Sequence, residues 1–247
     1  MAGAALQRRL TWLAAEAAEV VTETPRVRTI FLDVPGWEGH RPGQHVDVRL
    51  TAEDGYQAQR SYSIASAPED ERLALTVELV EDGEVSGYLV DELRPGDAFE
   101  LRGPIGGYFV WEAADGGPVL LVAGGSGIVP FRAMLRHRAA AGSDAPVRLV
   151  LSARSADDLI YRGELEELAA RGDGLELVRT LTRRAPPGWD ELTGRLMRET
   201  FAPLLEPGTL AFVCGPTGFV EAVAEALVSL GLAPERVKTE RFGPTGG

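Results

Sequence analysis

Cysteine and histidine are nearly missing from this chain of 247 residues, which has one cysteine, Cys214, and three histidines. One thiol cannot close a disulfide within the chain or ligate an iron–sulfur cluster, which takes several cysteines. Three histidines leave little for a zinc centre. Basic residues are also in deficit, 25 Lys and Arg against 37 Asp and Glu, for a formal charge of −12. That argues against non-specific binding to nucleic acid or to an anionic membrane, both of which draw on a positive surface. No apolar run approaches the roughly 20 residues that a membrane-spanning helix needs. Arg8 and Arg9 precede Leu10, Trp12 and Leu13 as a leader might begin, but Glu16 and Glu19 interrupt the apolar stretch. The expectation is a cytoplasmic protein with no metal and no membrane insertion.

What is present is a globular composition, 45% hydrophobic and 25% charged, at a length that fits one large or two small domains. Charge is split unevenly, a net −10 over residues 1–114 and −2 over residues 115–247. At the division stands Asp115-Gly116-Gly117-Pro118, a turn-rich stretch without apolar periodicity that reads as a linker. Before it, short strands at 27–34, 45–50, 73–80 and 99–101 alternate between Gly/Pro turns, which predicts a β-barrel or sandwich. The Ala-rich start at 13–21 fits helix or strand, with strand favoured from about Ala17. After the linker, strands at 119–122, 147–151, 175–181 and 210–213 alternate with helices at 129–141, 161–170 and about 219–230. That rhythm predicts a parallel, doubly wound sheet.

Two clusters could carry chemistry. Gly124-Gly125-Ser126-Gly127 lies between a strand and a helix, where glycines let backbone N–H groups approach an anion. Pro130 stands where a dinucleotide fingerprint would have its third glycine, and no P-loop lysine follows. A tight strand–helix turn that binds nothing would look the same. Arg60-Ser61-Tyr62-Ser63 offers a bidentate phosphate partner, a stacking ring and a hydroxyl, yet an ordinary strand with an exposed arginine also fits.

Taken in order, Arg60-Ser61-Tyr62-Ser63, Gly103-Pro104-Ile105-Gly106-Gly107-Tyr108-Phe109, Gly124-Gly125-Ser126-Gly127-Ile128-Val129-Pro130 and Cys214-Gly215-Pro216 resemble the ferredoxin–NADP reductase family. The likeness runs from about Leu10 to Phe242. It implies a two-domain fold: an N-terminal antiparallel Greek-key β-barrel holding FAD over residues 1–114, then a C-terminal α/β Rossmann-like parallel sheet holding NAD(P) over residues 115–247. By the same resemblance Arg60 contacts the FAD pyrophosphate, Tyr62 stacks on the isoalloxazine and Ser63 approaches flavin N5. Gly83-Glu84-Val85-Ser86 resembles the second phosphate-binding turn, with backbone N–H groups and the Ser86 hydroxyl on offer. A plain hairpin turn would carry the same residues. Gly125, Ser126 and Gly127 hold the nicotinamide nucleotide, and Cys214, Gly215 and Pro216 lie beside the nicotinamide. Phe242, after the last strand, covers the flavin, and Glu240 is a polar neighbour of the reactive centre. His45 reads as a strand residue near the flavin with no partner visible in sequence.

The resemblance implies a flavoprotein reductase that takes hydride from NADPH, with Ser63, Cys214 and Glu240 shaping the encounter. Electrons then pass to a separate acceptor protein, a ferredoxin or metalloenzyme component. Ser152, Arg154, Arg183 and Arg195 follow the second and third strands of the sheet, where an adenosine 2′-phosphate would bind, and they favour NADPH over NADH. Some relatives continue into a plant-type iron–sulfur domain, whereas this sequence ends shortly after Phe242. A reductase of free flavin or small molecules, and a non-catalytic nucleotide-responsive module, are the other functions this pattern allows. Oligomeric state is not legible.

Overall fold

The computed structural model describes residues 10–243. Arg8 and Arg9 of the leader-like start, and residues 244–247, lie outside the described residues. Twelve strands form two six-stranded sheets. The first contains β1 (Leu13–Thr24), β2 (Val27–Asp33), β3 (His45–Thr51), β4 (Gln57–Ser63), β5 (Leu73–Glu78) and β6 (Ala98–Ile105). Its order, β4-β3-β6-β1-β2-β5, is antiparallel throughout and runs as a Greek key. The sheet curls so that its edges, β4 and β5, meet through a bridge between Ile64 and Leu75. Beside this seam sits the one-turn helix α1 (Glu84–Gly87).

Alternation builds the barrel. Ala15 and Ala17, Ile30 and Leu32, Val46 and Val48, and Leu73, Leu75 and Val77 all point inward to one core. This explains why the Ala-rich start is a strand from Leu13, four residues earlier than the pattern foretells: Ala15 and Ala17 are fully buried on one pleat face.

The second sheet contains β7 (Val119–Gly124), β8 (Val147–Ser155), β9 (Leu175–Arg184), β10 (Leu192–Thr193), β11 (Leu210–Pro216) and β12 (Val237–Phe242). Its order is β10-β9-β8-β7-β11-β12, all parallel. Helices α2 (Val129–Ala140) and α3 (Arg162–Ala170) cover one face, and α4 (Arg198–Phe201) and α5 (Thr217–Ser229) cover the other. The continuous apolar run of β7 follows from this sandwiching. Val119, Leu121 and Ala123 enter the core under α2 and α3, while Leu120 and Val122 enter the core under α5.

The α2/α3 core also takes in Val27, Ala65 and Ala74 from the outside of the barrel, and Phe109 and Trp111 from the connection between the sheets. The two halves therefore share apolar packing. Among the described residues no helix is long and apolar enough to cross a membrane, and no cluster of three or more His, Cys, Asp or Glu side chains could hold a metal.

Candidate functional site

In a parallel sheet, ligands bind beyond the carboxyl ends of the strands where strand order reverses. Here the reversal falls at β7, with β8 on one side and β11 on the other. A cleft of about 660 Å³ opens there. Its walls are the loops after β7, β8, β9 and β11, with Phe242 at the end of β12, and on the barrel side Thr24, Arg26, Val27 and Glu78.

The loop after β7 is made to pack closely. A side chain at Gly127 would run into the carbonyl of Cys214, and one at Gly124 would meet the Phe219 ring at 2.9 Å. Gly125 faces open space but has φ +56°, a left-handed conformation that glycine adopts without cost. A 3₁₀ turn over Gly125–Ile128 runs directly into α2. Its leading N–H groups have no intrahelical acceptor and lie at the positive end of a helix. Pro130 fits the first turn of α2, where no N–H is needed.

Of the residues expected from sequence, Gly125, Ser126, Ser152, Arg154, Arg183, Arg195, Pro216 and Phe242 all line this cleft. Arg154, Arg183 and Arg195 are exposed and have no ion-pair partner among the described residues, although neighbouring Arg179 and Arg184 are both paired. Gly127 and Gly215 lie beneath the loops as backbone spacers. Phe242 is the last residue of β12 rather than a residue beyond it, and it pairs in register with Pro216. Sequence reasoning missed the Phe219 floor and the barrel wall of Thr24, Arg26 and Glu78.

A second cluster forms where strands of both sheets converge. Cys214 on β11 pairs in register with Glu240 on β12, and His45 on β3 pairs with Ser63 on β4. His45 Nδ1 lies 3.8 Å from Glu240 Oε1, which joins the two pairs across the halves. At that distance the contact is not a hydrogen bond. The other Glu240 oxygen is buried with no hydrogen-bond partner among the described residues, and burial pushes the carboxyl up to about 7. Burial lowers the His45 imidazole, so it is neutral at neutral pH. Burial, with Glu240 nearby, pushes the Cys214 thiol up and keeps it protonated. His45 therefore has a neighbour that the sequence could not show.

The third group lies at the barrel seam. Tyr62 and Arg60 pair with Val46 and Val48, so the pleat puts their side chains on the same face of the β3–β4 pair as those two valines. Burial pushes the Tyr62 phenol up to about 12. Arg60 is exposed, and its guanidinium donates to the carbonyl of Gln59 at 2.7 Å. At Gly83-Glu84-Val85-Ser86 the expected turn is helix α1, with Gly83 as its N-cap. The Ser86 hydroxyl donates to Gly83 O and accepts from Val80 N–H, each at 3.2 Å. The leading backbone N–H groups of that turn, including those of Glu84 and Val85, have no intrahelical acceptor.

The two halves match models of two linked families. Residues 18–110 match an oxidoreductase FAD-binding domain and residues 121–225 an oxidoreductase NAD-binding domain. The fold and site thus define the two-part class of flavin- and nicotinamide-nucleotide oxidoreductases. Ferredoxin–NADP reductase B of Sorangium cellulosum is 37% identical over 209 residues, covering 81% of this chain and 84% of that one. The reductase subunit of glycine betaine monooxygenase from Pseudomonas aeruginosa is 35% identical over 236 residues, covering 92% of this chain but 63% of that one. The chain thus spans less than two thirds of that relative's length. A solved cytochrome P450 reductase from Amycolatopsis superposes with a TM-score of 0.83 at 30% identity, covering 96% of this chain and 71% of that one. The chain belongs to the ferredoxin–NADP reductase family.

The residues present fit an FAD group. The buried Glu240 oxygen has no polar partner among the described residues, and Arg60 and Tyr62 share one face of edge strand β4, against which α1 packs with its leading N–H groups lacking intrahelical acceptors.

Proposed function

We propose that this chain is an FAD-dependent NAD(P)H oxidoreductase that uses NADPH in preference to NADH and delivers electrons to a separate protein acceptor. The observation that carries this reading is the adjacency of the nucleotide cleft and the polar cluster. Pro216 and Phe242 in the cleft lie two residues along β11 and β12 from Cys214 and Glu240, about 7 Å. We also assign the two roles to residues 1–114 and 115–247.

Arg60 and the α1 N–H groups would hold the FAD pyrophosphate, Tyr62 would lie on the ring system and Ser63 would meet its reactive edge. When bound, FAD supplies the conversion between a two-electron donor and a one-electron acceptor. Gly125 and Ser126 offer N–H groups and a hydroxyl to the nucleotide pyrophosphate. Ser152, Arg154, Arg183 and Arg195 would surround an adenosine 2′-phosphate, and the lack of counter-charges on the three arginines among the described residues favours the more highly charged nucleotide. Cys214, kept as a thiol, fills space beside the nicotinamide rather than attacking it. Glu240 can hold or release a proton near neutral pH. The names of the relatives, a ferredoxin reductase and a monooxygenase reductase subunit, support a protein acceptor. The single free thiol supports a cytoplasmic site.

Stopped-flow bleaching of the flavin by NADPH and NADH tests the reading. NADPH should react with the lower Kd, and Arg183→Ala with Arg195→Ala should weaken NADPH by about 10- to 100-fold while changing NADH by less than about threefold. Tighter, faster reaction with NADH would overturn the preference. Reduction of free flavin as efficient as that of any protein acceptor would overturn the acceptor assignment.

A further inference from the structure

Tyr161 begins α3 from the far side of the cleft wall, yet its side chain leaves its own half of the molecule. It is 4% exposed and has a left-handed backbone, φ 59°, a conformation that costs energy for any residue with a Cβ. Such a backbone persists only where surrounding contacts hold it: here the Tyr161 carbonyl accepts from Leu165 N–H at 2.9 Å, and the side chain makes contacts of its own. The phenol reaches the outer face of the barrel and bonds Thr76 Oγ1. Thr76 and Thr29, neighbours in register on β5 and β2, have hydroxyls 2.8 Å apart. Thr29 in turn donates to Glu23 Oε1 at 2.7 Å.

A carboxylate only accepts, so the direction of every proton in the chain is fixed. Thr29 donates to Glu23, Thr76 to Thr29 and Tyr161 to Thr76. Burial raises the phenol's pKa, which keeps it a donor. The ring is covered by the Arg132 guanidinium, whose carbon lies 4.8 Å from the ring centroid. Arg132 itself joins the halves, donating to Glu164 Oε2 at 2.7 Å and to the carbonyl of Ala65 at 3.2 Å. Ala65 is two residues beyond Ser63. Ile160, beside Tyr161, lines the cleft from one wall, and Thr24, beside Glu23, lines it from the other.

We propose that Tyr161 is a positioning residue. Its phenol, keyed into the Thr76–Thr29–Glu23 hydroxyl chain beneath Arg132, sets the spacing between the nucleotide cleft and the Ser63 edge of the barrel, and so the approach of nicotinamide to flavin. The inference rests on the function proposed above. A misplacement of about 1 Å at a reacting centre can cost up to about 100-fold in rate, so loss of one keyed hydroxyl has a measurable target.

Tyr161→Phe keeps the ring and removes only the donor. Under saturating NADPH its single-turnover flavin reduction should slow by about 5- to 30-fold, while the Kd for NADPH changes by less than about threefold. Thr76→Val should give the same loss, and the double variant should be no slower than either single one. An activity-independent readout uses nitroxides at Glu53→Cys and Glu221→Cys, Cys214 being too buried to label. The narrow label-to-label distance distribution should broaden in Tyr161→Phe. A phenol with only a packing role would lower the melting temperature and leave the rate and the distance distribution at wild-type values below it, which would overturn the proposal. Wild-type protein not bleached by NADPH would instead overturn the function proposed above, and the label distances would still decide the role of Tyr161.

Discussion

At the scale of single residues, Glu240 and Cys214 show how one cause gives two chemistries. Both are moved upward by burial, but the thiol is moved away from neutrality and the carboxyl into it. Glu240 rises from an ordinary 4.5 to about 7, so the folded chain holds its proton more tightly than the unfolded chain. Its stabilising contribution is therefore complete below about 4.5 and lost as pH rises through about 7. In nucleotide-free protein, Glu240→Gln should remove this dependence and exceed wild type in stability by about 1–3 kcal/mol at about pH 8. Urea unfolding across that range checks it, and a wild-type curve as flat as the variant's would count against a buried carboxyl. His45 gives little compensation at about pH 8, because burial lowers its imidazole from an ordinary 6.5 and leaves it uncharged there.

At the scale of elements, the loop after β7 depends on the absence of a side chain. A Cβ at Gly127 would meet the Cys214 carbonyl, which is backbone and cannot swing aside. Gly127→Ala should therefore cost about 1–3 kcal/mol and push the loop off β11. Nucleotide affinity should fall at least about tenfold, as a displaced N–H cradle loses charge-assisted hydrogen bonds. Calorimetric titration with NADP⁺ tests this, and undiminished affinity would show that the cradle tolerates the shift. Elements like β7 were legible in the sequence because burial on both faces demands an unbroken apolar run. The parallel order followed from the alternation of such runs with helices. Others were hidden for physical reasons. β4 reads Gln57-Ala58-Gln59-Arg60 because it is an edge strand beside an open seam, so its inward face need not be apolar. β10 is two residues long and exposed. The glycines, arginines and Phe219 loop of the cleft are local to strand ends, and most were marked by residue type. The pairing of His45 with Glu240 was not, since it joins residues 195 positions apart across the two halves. The left-handed start of α3 was likewise invisible, because nothing in the type of Tyr161 announces a partner on β5.

At the scale of the whole molecule, the question is what holds an acidic barrel against a nearly neutral nucleotide half. Part of the answer is the shared apolar core around Trp111 and Phe131. A further part is ionic and lies along α2. Arg136 grips Asp70 of the barrel through two bonds of 2.6 and 2.8 Å and Glu164 of α3 through one of 2.7 Å, while His137 meets Glu69 at 2.7 Å. Burial alone would push the Asp70 carboxyl up, but the hydrogen bonds from Arg136 and from the Ala67 N–H outweigh it and hold it below its ordinary 3.8. A depressed carboxylate stabilises the fold above its unfolded pKa, and the benefit is lost as pH falls through the folded value, below about 3.8. Asp70→Asn should therefore cost about 1–3 kcal/mol at about pH 7, since Arg136 keeps Glu164 but loses its charged partner on the barrel. The gap should narrow as the wild type is taken from about pH 7 into strong acid, through the lowered folded value at which Asp70 takes up its own proton. Because the group is partly buried, the neutral-pH gap should shrink only modestly in about 0.5 M salt, unlike that of a surface pair. Urea unfolding at both pH values decides the matter: equal stabilities near neutrality, or a gap undiminished in acid, would show that this ion pair does not join the two halves.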